Sequence, residues 1–295
     1  MKEQVDYATM DDRECYLFDL QGYLVVRGIL SQEEVNALNE ALDANTDKRG
    51  DFGNPNAISG NWEGRPLEGI FSPFRHYKGM LTWEQPWCQP FRDMLAHPNA
   101  IPYLNTMLGR GWKLDHGVDL LNSVDGCEGL KLHGSGNLTF SGSRFYAYQN
   151  GRMRCGLIVF QYALTDVNPG DGGLCVIPGS HKSNFEAPED IMTWEANKEL
   201  VFQPTLKAGD LVIFNEATSH GTLPWKGKGE RRTLLFRYTP KYLTYVPGTY
   251  ETQLPEWVSE LSEAQQAALE PPYIYHHPMI EDDGVSVVRP RREGE

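Results

Sequence analysis

Hydrophobic and polar positions change their spacing along the chain, and the first third has mainly a helical pattern. Behind Ser31, apolar residues recur at helical spacing, and Glu34 three residues later completes a capping box. This pattern predicts a helix within residues 31–46, preceded by a short strand-like run at residues 18–30. Residues 86–109 indicate two further short helices, with Pro and Asn at their joins.

From Trp112 onward the pattern changes to short apolar runs separated by Gly, Asn, Asp and Pro turns. Several such runs with few helices between them predict an antiparallel sandwich or barrel. The predicted strands are residues 113–124, 144–150, 155–164, 172–180, 210–216 and 231–239. The last two are expected to be antiparallel partners joined by a hairpin, because a GKG turn signal lies between them. A capped helix, beginning at Ser262 with Gln265 as its return partner, is predicted at residues 262–272.

The pattern therefore predicts an all-β core, an antiparallel barrel or jelly roll, with flanking N- and C-terminal α-helices. No repeat at a fixed period and no low-complexity segment divides the chain, so we expect a single domain over residues 1–295. Within it, residues 1–111 would form a helix-rich support. Residues 112–245 would form the jelly-roll core, and residues 246–295 a helical extension.

Composition narrows the class of protein. With 295 residues, 40% of them hydrophobic, the chain can bury a large core. A formal net charge of -13 argues against a nucleic-acid or anionic-membrane binder, and mildly against a strongly anionic substrate such as an acyl-CoA. Five scattered cysteines without a CxxC pair indicate reduced thiols. No apolar run approaches membrane-spanning length and the first residues do not resemble a signal peptide, so we expect a cytoplasmic protein.

Candidate chemistry appears between the last two predicted strands, where an imidazole follows one strand and a guanidinium begins its partner. His220 follows the strand DLVIF, and Arg231 begins the next strand. Imidazole binds Fe, Zn or Cu, whereas guanidinium grips a carboxylate with two parallel hydrogen bonds. Together they suggest a metal site that binds an acidic cosubstrate.

Three stretches make the chain similar to the phytanoyl-CoA dioxygenase family of Fe(II)- and 2-oxoglutarate-dependent oxygenases. They are FDLQGYLVVRGILSQEEVNAL, LTDVNPGDGGLCVIPGSHKS and SHGT…RRTLLFRY, which together span most of residues 18–240. The IPGSHK sequence within the second stretch is the motif most specific to this family. The resemblance implies a double-stranded β-helix fold and iron as the metal. It also implies O2 and 2-oxoglutarate as cosubstrates, and hydroxylation of a small organic substrate with release of succinate and CO2.

The resemblance also implies roles for particular residues. His220 corresponds to the distal metal-binding histidine, and Arg231 to the arginine that holds the far carboxylate of 2-oxoglutarate. Arg232 would face the other side of the strand. Thr222 could donate its hydroxyl to the cosubstrate, and Gln161 lies on a strand that is expected to cross the cavity floor. His133 takes the place of the first metal-binding histidine.

One position departs from the family pattern, because Ser135 stands where the family has a metal-binding carboxylate. Three explanations are open. Another carboxylate, from Glu216 or Glu128, or a water could complete the site. A halide such as chloride could occupy the position, as in related halogenases. The third explanation is that the site is inactive and that the chain is a non-catalytic binding protein on the same fold. The substrate and the oligomeric state are not indicated by the sequence.

Overall fold

The computed structural model describes residues 10–51, 62–134, 143–245, 254–272 and 277–289. The helices are α1 Asp12–Gln21, α2 Gln32–Ala44, α3 Gln89–Asp93, α4 Ile101–Leu108, α5 Glu189–Met192 and α6 Glu263–Leu269. The strands are β1 Tyr23–Val26, β2 Arg75–Lys78, β3 Trp112–Leu114, β4 Asp119–Ser123, β5 Leu130–His133, β6 Tyr146–Gln149, β7 Arg152–Cys155, β8 Ile158–Ala163, β9 Gly173–Val176, β10 Leu211–Asn215, β11 His220–Leu223, β12 Arg231–Pro240, β13 Met279–Ile280 and β14 Val287–Val288.

The predicted capping boxes begin their helices as expected. The Ser31 hydroxyl accepts a hydrogen bond from the Glu34 amide, and the Glu34 carboxylate accepts one from the Ser31 amide, which starts α2. The strand predicted at residues 18–30 is wrong over its first residues, because α1 continues to Gln21. Gly22, with φ of 78°, ends that helix in the left-handed conformation, and β1 begins directly after it.

The larger sheet has seven antiparallel strands in the order β1-β10-β8-β12-β4-β2, with β3 pairing to β12. Strand β12 is ten residues long and pairs with β8 on one side and with β4 and then β3 on the other. Strands β1 and β2 come from the first 111 residues. The N-terminal part of the chain therefore provides strands of this sheet in addition to supporting helices.

The smaller sheet has the order β5-β11-β9. The predicted hairpin between residues 210–216 and 231–239 is wrong, since β10 pairs with β1 and β8 whereas β12 pairs with β8, β4 and β3. After β10 the chain crosses to the smaller sheet, forms β11 there, and returns to form β12. His220 and Arg231 consequently lie on different sheets.

Two apolar cores follow from the alternation of side chains in the larger sheet. Residues such as Phe160 and Phe236 point outward and pack with the buried faces of the helices. Val159 and Leu235, one position away, point inward and pack against Leu174 of the smaller sheet. Each fully buried side chain of this size contributes roughly 1.5–3 kcal/mol to folding. Within the described ranges, no helix combines the length and hydropathy that a membrane crossing requires.

Candidate active site

A cavity of about 230 Å³ lies between the two sheets. It is lined by the five residues to which the resemblance gave a role: His133, Gln161, Thr222, His220 and Arg231. The wrong hairpin prediction did not affect this result. The two sheets face the same interior, so side chains reach the cavity from both sides.

The two histidines are held side by side by strand pairing. His133 of β5 and His220 of β11 are register partners, and their ring centroids are 4.3 Å apart. The Nδ1 atom of His133 lies 3.0 Å from the Lys131 carbonyl oxygen, and that of His220 lies 2.7 Å from the Thr218 carbonyl oxygen. Because a carbonyl only accepts hydrogen bonds, each Nδ1 carries the proton. Each Nε2 keeps its lone pair, as in a metal-binding histidine.

The protonation state of His220 agrees with this assignment. Burial, together with the nearby His133, lowers the pKa of His220 from 6.5 to about 4. The side chain is only 6% exposed. At neutral pH the imidazole is therefore uncharged, which is the form that binds metal ions.

Gly134 and a β-bulge bring the histidine strands together. The register between β5 and β11 shifts by one residue between His220 and Thr222, which locally bends the ladder. Gly134 has φ of 90°, and a Cβ atom there would lie 2.5 Å from the Thr218 carbonyl oxygen and 2.8 Å from that of Glu216. Glycine is required at this position by the close approach of backbone. Ser135 lies outside the described residues.

Arg231 is a buried guanidinium that has no anionic partner within the described part of the chain. Its side chain is 2% exposed, no salt bridge or side-chain hydrogen bond joins it to the described residues, and its Nη2 atom has no acceptor. Burial lowers the pKa of Arg231 to about 10, so the group remains charged at neutral pH. Gly173 makes room for it, since a Cβ there would lie 2.7 Å from the Arg231 Nε atom.

The neighbouring Arg232 points the other way, as strand alternation requires. Its guanidinium pairs with Asp43 at 2.5 Å and with Glu230 at 3.1 Å, on the outer side of the sheet. Arg231, not Arg232, therefore faces the cavity.

Gln161 and Thr222 line the cavity at positions set by strand pairing. Gln161 is buried on β8, opposite Leu235 of β12. The Thr222 hydroxyl accepts a hydrogen bond of 2.9 Å from the Leu130 amide at the bulge. Thr222 thus stabilises the irregular ladder that positions the histidines, and it lines the cavity as well.

Of the two carboxylates considered as replacements for the missing one, Glu216 lies in the cavity. Its Oε2 atom is 3.8 Å from Nε2 of His220. Burial by itself would raise the pKa of Glu216, but electrostatic interactions with His220, His133, Arg237 and His116 lower it overall. Glu128 does not line the cavity. It lies in a loop, where its backbone amide donates a hydrogen bond to the Phe71 carbonyl. Across the described ranges, no three His, Cys, Asp or Glu side chains converge on one metal position.

The sequence analysis missed two features of the cavity. Arg237 lines it from the same face of β12 as Arg231, a relationship that simple alternation along RRTLLFRY would have indicated. His76 also lines it, and its Nδ1 atom lies 2.8 Å from both carboxylate oxygens of Asp119. No sequence signal pairs those two residues, because β2 and β4 are brought together by sheet topology.

Comparison with known proteins shows the same fold in several solved structures. HygX from Streptomyces hygroscopicus, solved with nickel and 2-oxoglutarate bound, is 21% identical, with a TM-score of 0.63 over 80% of this chain and 89% of that chain. SnoN, a non-heme alpha ketoglutarate dependent epimerase from nogalamycin biosynthesis, is 17% identical, with a TM-score of 0.56 over 83% and 92% of the two chains. SnoK, a non-heme alpha ketoglutarate dependent carbocyclase from nogalamycin biosynthesis, is 17% identical, with a TM-score of 0.56 over 90% of this chain and 93% of that chain.

No significantly similar protein is found among curated sequences. A family model does match: residues 141–233 fit phytanoyl-CoA dioxygenase (PhyH). The matched segment contains Gln161, His220, Thr222 and Arg231, and it begins after His133. The segment that carries these residues is therefore similar to the phytanoyl-CoA dioxygenase family, in agreement with the resemblance of its motifs.

Proposed function

We propose that this protein is an Fe(II)- and 2-oxoglutarate-dependent oxygenase that hydroxylates a small organic substrate. Arg231 is the single observation that carries the proposal, because a buried charge without a partner costs several kcal/mol. A fold that keeps such a charge in a cavity beside two neutral imidazoles is suited to an anionic ligand that also reaches a metal ion.

The residues of the cavity fit the two absent groups. His133 and His220 would hold the iron through Nε2, since imidazole is a suitable ligand for iron. Cosubstrate 2-oxoglutarate carries two carboxylates, so one can lie at the metal while Arg231 pairs with the other. HygX, which shares the fold, has been solved with iron and with nickel and 2-oxoglutarate. The proposal includes the double-stranded β-helix fold, the single domain over residues 1–295 and the cytoplasmic location.

Bound iron and 2-oxoglutarate supply the activation of O2 and the removal of a substrate hydrogen, with succinate and CO2 as products. The chain supplies orientation and exclusion of water. The carbonyls of Lys131 and Thr218 fix the two imidazole planes. Arg231 sets the direction of the cosubstrate, with Gln161 and Thr222 beside it.

Glu216 supports hydroxylation over the two alternatives. A carboxylate beside His220 places negative charge where a halide would otherwise compensate for the missing ligand, so it disfavours a halogenase. A non-catalytic binding protein would not require the histidine pair and the buried arginine together. Because the solved structures of this fold include an epimerase and a carbocyclase, the product distinguishes hydroxylation from those reactions.

Anaerobic titration of the metal-free protein with Fe(II) and then 2-oxoglutarate tests the proposal. We expect a visible charge-transfer band that chloride does not shift, and that His133→Ala and His220→Ala both abolish. His97→Gln is the matched control, since His97 bonds Glu34 away from the cavity. No bound iron and no band in the wild type would overturn the proposal, and a band that moves with chloride would support the halogenase.

A further inference from the structure

We propose that Arg237 binds a carboxylate of the substrate, so that the enzyme acts on a small monoanionic organic acid. This inference rests on the proposed function and names its substrate class. It concerns a second cation of the same cavity, at the end away from Arg231.

Arg237 faces the cavity from β12 and has no competing partner among the residues that the structure describes. It is half-buried and lines the cavity, and its guanidinium makes no hydrogen bond or ion pair with the described residues. Its backbone carbonyl accepts from the Asp115 amide, which fixes this part of the strand. The side chain is therefore held in place at its base and free to bind at its tip.

The acidic neighbours of Arg237 have other contacts. Asp119 lies opposite Leu235, diagonally across the sheet from Arg237, but both of its carboxylate oxygens lie 2.8 Å from Nδ1 of His76. Glu216 lies beside His220. Neither carboxylate forms a salt bridge with Arg237, since no N···O distance is 4 Å or less. Glu216 lines the same cavity, and Asp119 contacts His76, which also lines it.

The spacing along β12 separates the two arginines by function. Six residues of strand correspond to roughly 20 Å between the Cα atoms of Arg231 and Arg237. A molecule as short as 2-oxoglutarate that reaches the histidines from Arg231 does not also reach Arg237. Arg237 is the register partner of Val159, and Val159 is that of Phe214, whose ring centroid lies 4.6 Å from that of His220. Arg237 therefore lies at the histidine end of the cavity. A ligand bound there would extend past His133 and His220.

The surroundings of Arg237 favour a carboxylate with an apolar body. Guanidinium matches the geometry of a carboxylate with two parallel hydrogen bonds. A dianionic phosphate would be repelled by Glu216 and Asp119, whereas a monoanion meets less repulsion. Apolar side chains also line the cavity, among them Phe74, Leu121, Phe214 and Leu235. The local charge of the cavity thus differs from the net charge of the chain.

The test uses the full-length protein loaded with Ni(II), which does not support turnover, and with saturating 2-oxoglutarate. Straight-chain and aryl monocarboxylates are titrated in pairs with their neutral primary amides, and binding is measured by calorimetry. We expect at least one acid to bind about tenfold more tightly than its amide. Arg237→Met should remove this preference, and Arg237→Lys should keep part of it. Arg152→Met, at an exposed position on β7, is the control and should change nothing.

The proposal is overturned if no acid is preferred over its amide, or if Arg237→Met keeps the preference. It is also overturned if Arg237→Met weakens 2-oxoglutarate binding as strongly as Arg231→Met, because Arg237 would then belong to the cosubstrate site. Failure of the wild type to bind metal and 2-oxoglutarate is a different result, which contradicts the proposed function itself.

Discussion

His133 and His220 occupy directly opposing positions on β5 and β11, with ring centroids 4.3 Å apart. Their separation is therefore fixed by a strand ladder and by two carbonyl contacts, and does not depend on a loop. A metal held by this pair would gain from preorganisation, since little side-chain freedom remains to be lost on binding.

Gly134→Ala tests whether backbone approach sets that separation. The new Cβ would lie 2.5 Å from the Thr218 carbonyl oxygen, so β5 must move away from the segment that leads into β11. We expect Ni(II) affinity, measured by calorimetry, to fall about tenfold or more. Gly151→Ala is the matched control, because Gly151 also has positive φ but no atom near the added Cβ. Equal metal affinity in both variants would contradict this explanation of Gly134.

Arg231→Met tests the buried guanidinium. Replacing an unpaired buried charge with an apolar side chain should leave the stability of the ligand-free protein unchanged or raise it by about 1–4 kcal/mol. The thermal stabilisation by 2-oxoglutarate, measured with Ni(II) present, should disappear. Arg232→Met removes outward contacts with Asn39, Asp43 and Glu230 and should keep that stabilisation. A ligand-free protein that Arg231→Met strongly destabilises would show that Arg231 has a structural role.

Glu216→Gln tests the carboxylate beside the histidines. It preserves side-chain volume and removes the negative charge 3.8 Å from His220. We expect Fe(II) affinity to fall roughly 10–100-fold, the range found for groups that support metal ligands. Chloride should bind more readily to the variant because the repulsion is reduced.

Glu128→Gln is the informative comparison, since Glu128 was the other carboxylate considered and lies outside the cavity. It should leave Fe(II) affinity unchanged. If Glu128→Gln weakens iron binding and Glu216→Gln does not, the assignment of Glu216 is wrong.

His181 should make the protein less stable at mildly acidic pH. Burial lowers the pKa of His181 in the folded state from 6.5 to about 4. Between these values the unfolded state binds more protons, so the free energy of unfolding falls as pH decreases, by at most roughly 1.4 kcal/mol per pH unit. His220 titrates over the same range. The contribution of His181 is therefore isolated by comparing the wild type with His181→Gln. The free energy of unfolding of each protein is measured by urea denaturation from pH 7 to 4.5. Parallel curves for the two proteins would contradict it.

Some features were determined by local sequence. The capping box of Ser31 and Glu34 starts a helix because it satisfies the first amides of that helix whatever surrounds it. Strand alternation likewise determined that Arg231 and Arg232 face opposite sides, since successive side chains of a strand point to opposite faces. The resemblance of the sequence motifs around His220 to those of the family indicated the rest of the predicted site.

Only the tertiary structure decided how these residues meet. The predicted hairpin before Arg231 was wrong because β10 and β12 find their partners far along the chain, and strand pairing of that kind depends on the packing of the whole sheet. The same long-range pairing brings His76 to Asp119 and places Glu216 beside His220. Local propensity fixes which segments become strands, whereas burial of their apolar faces against one another decides which side chains share a cavity.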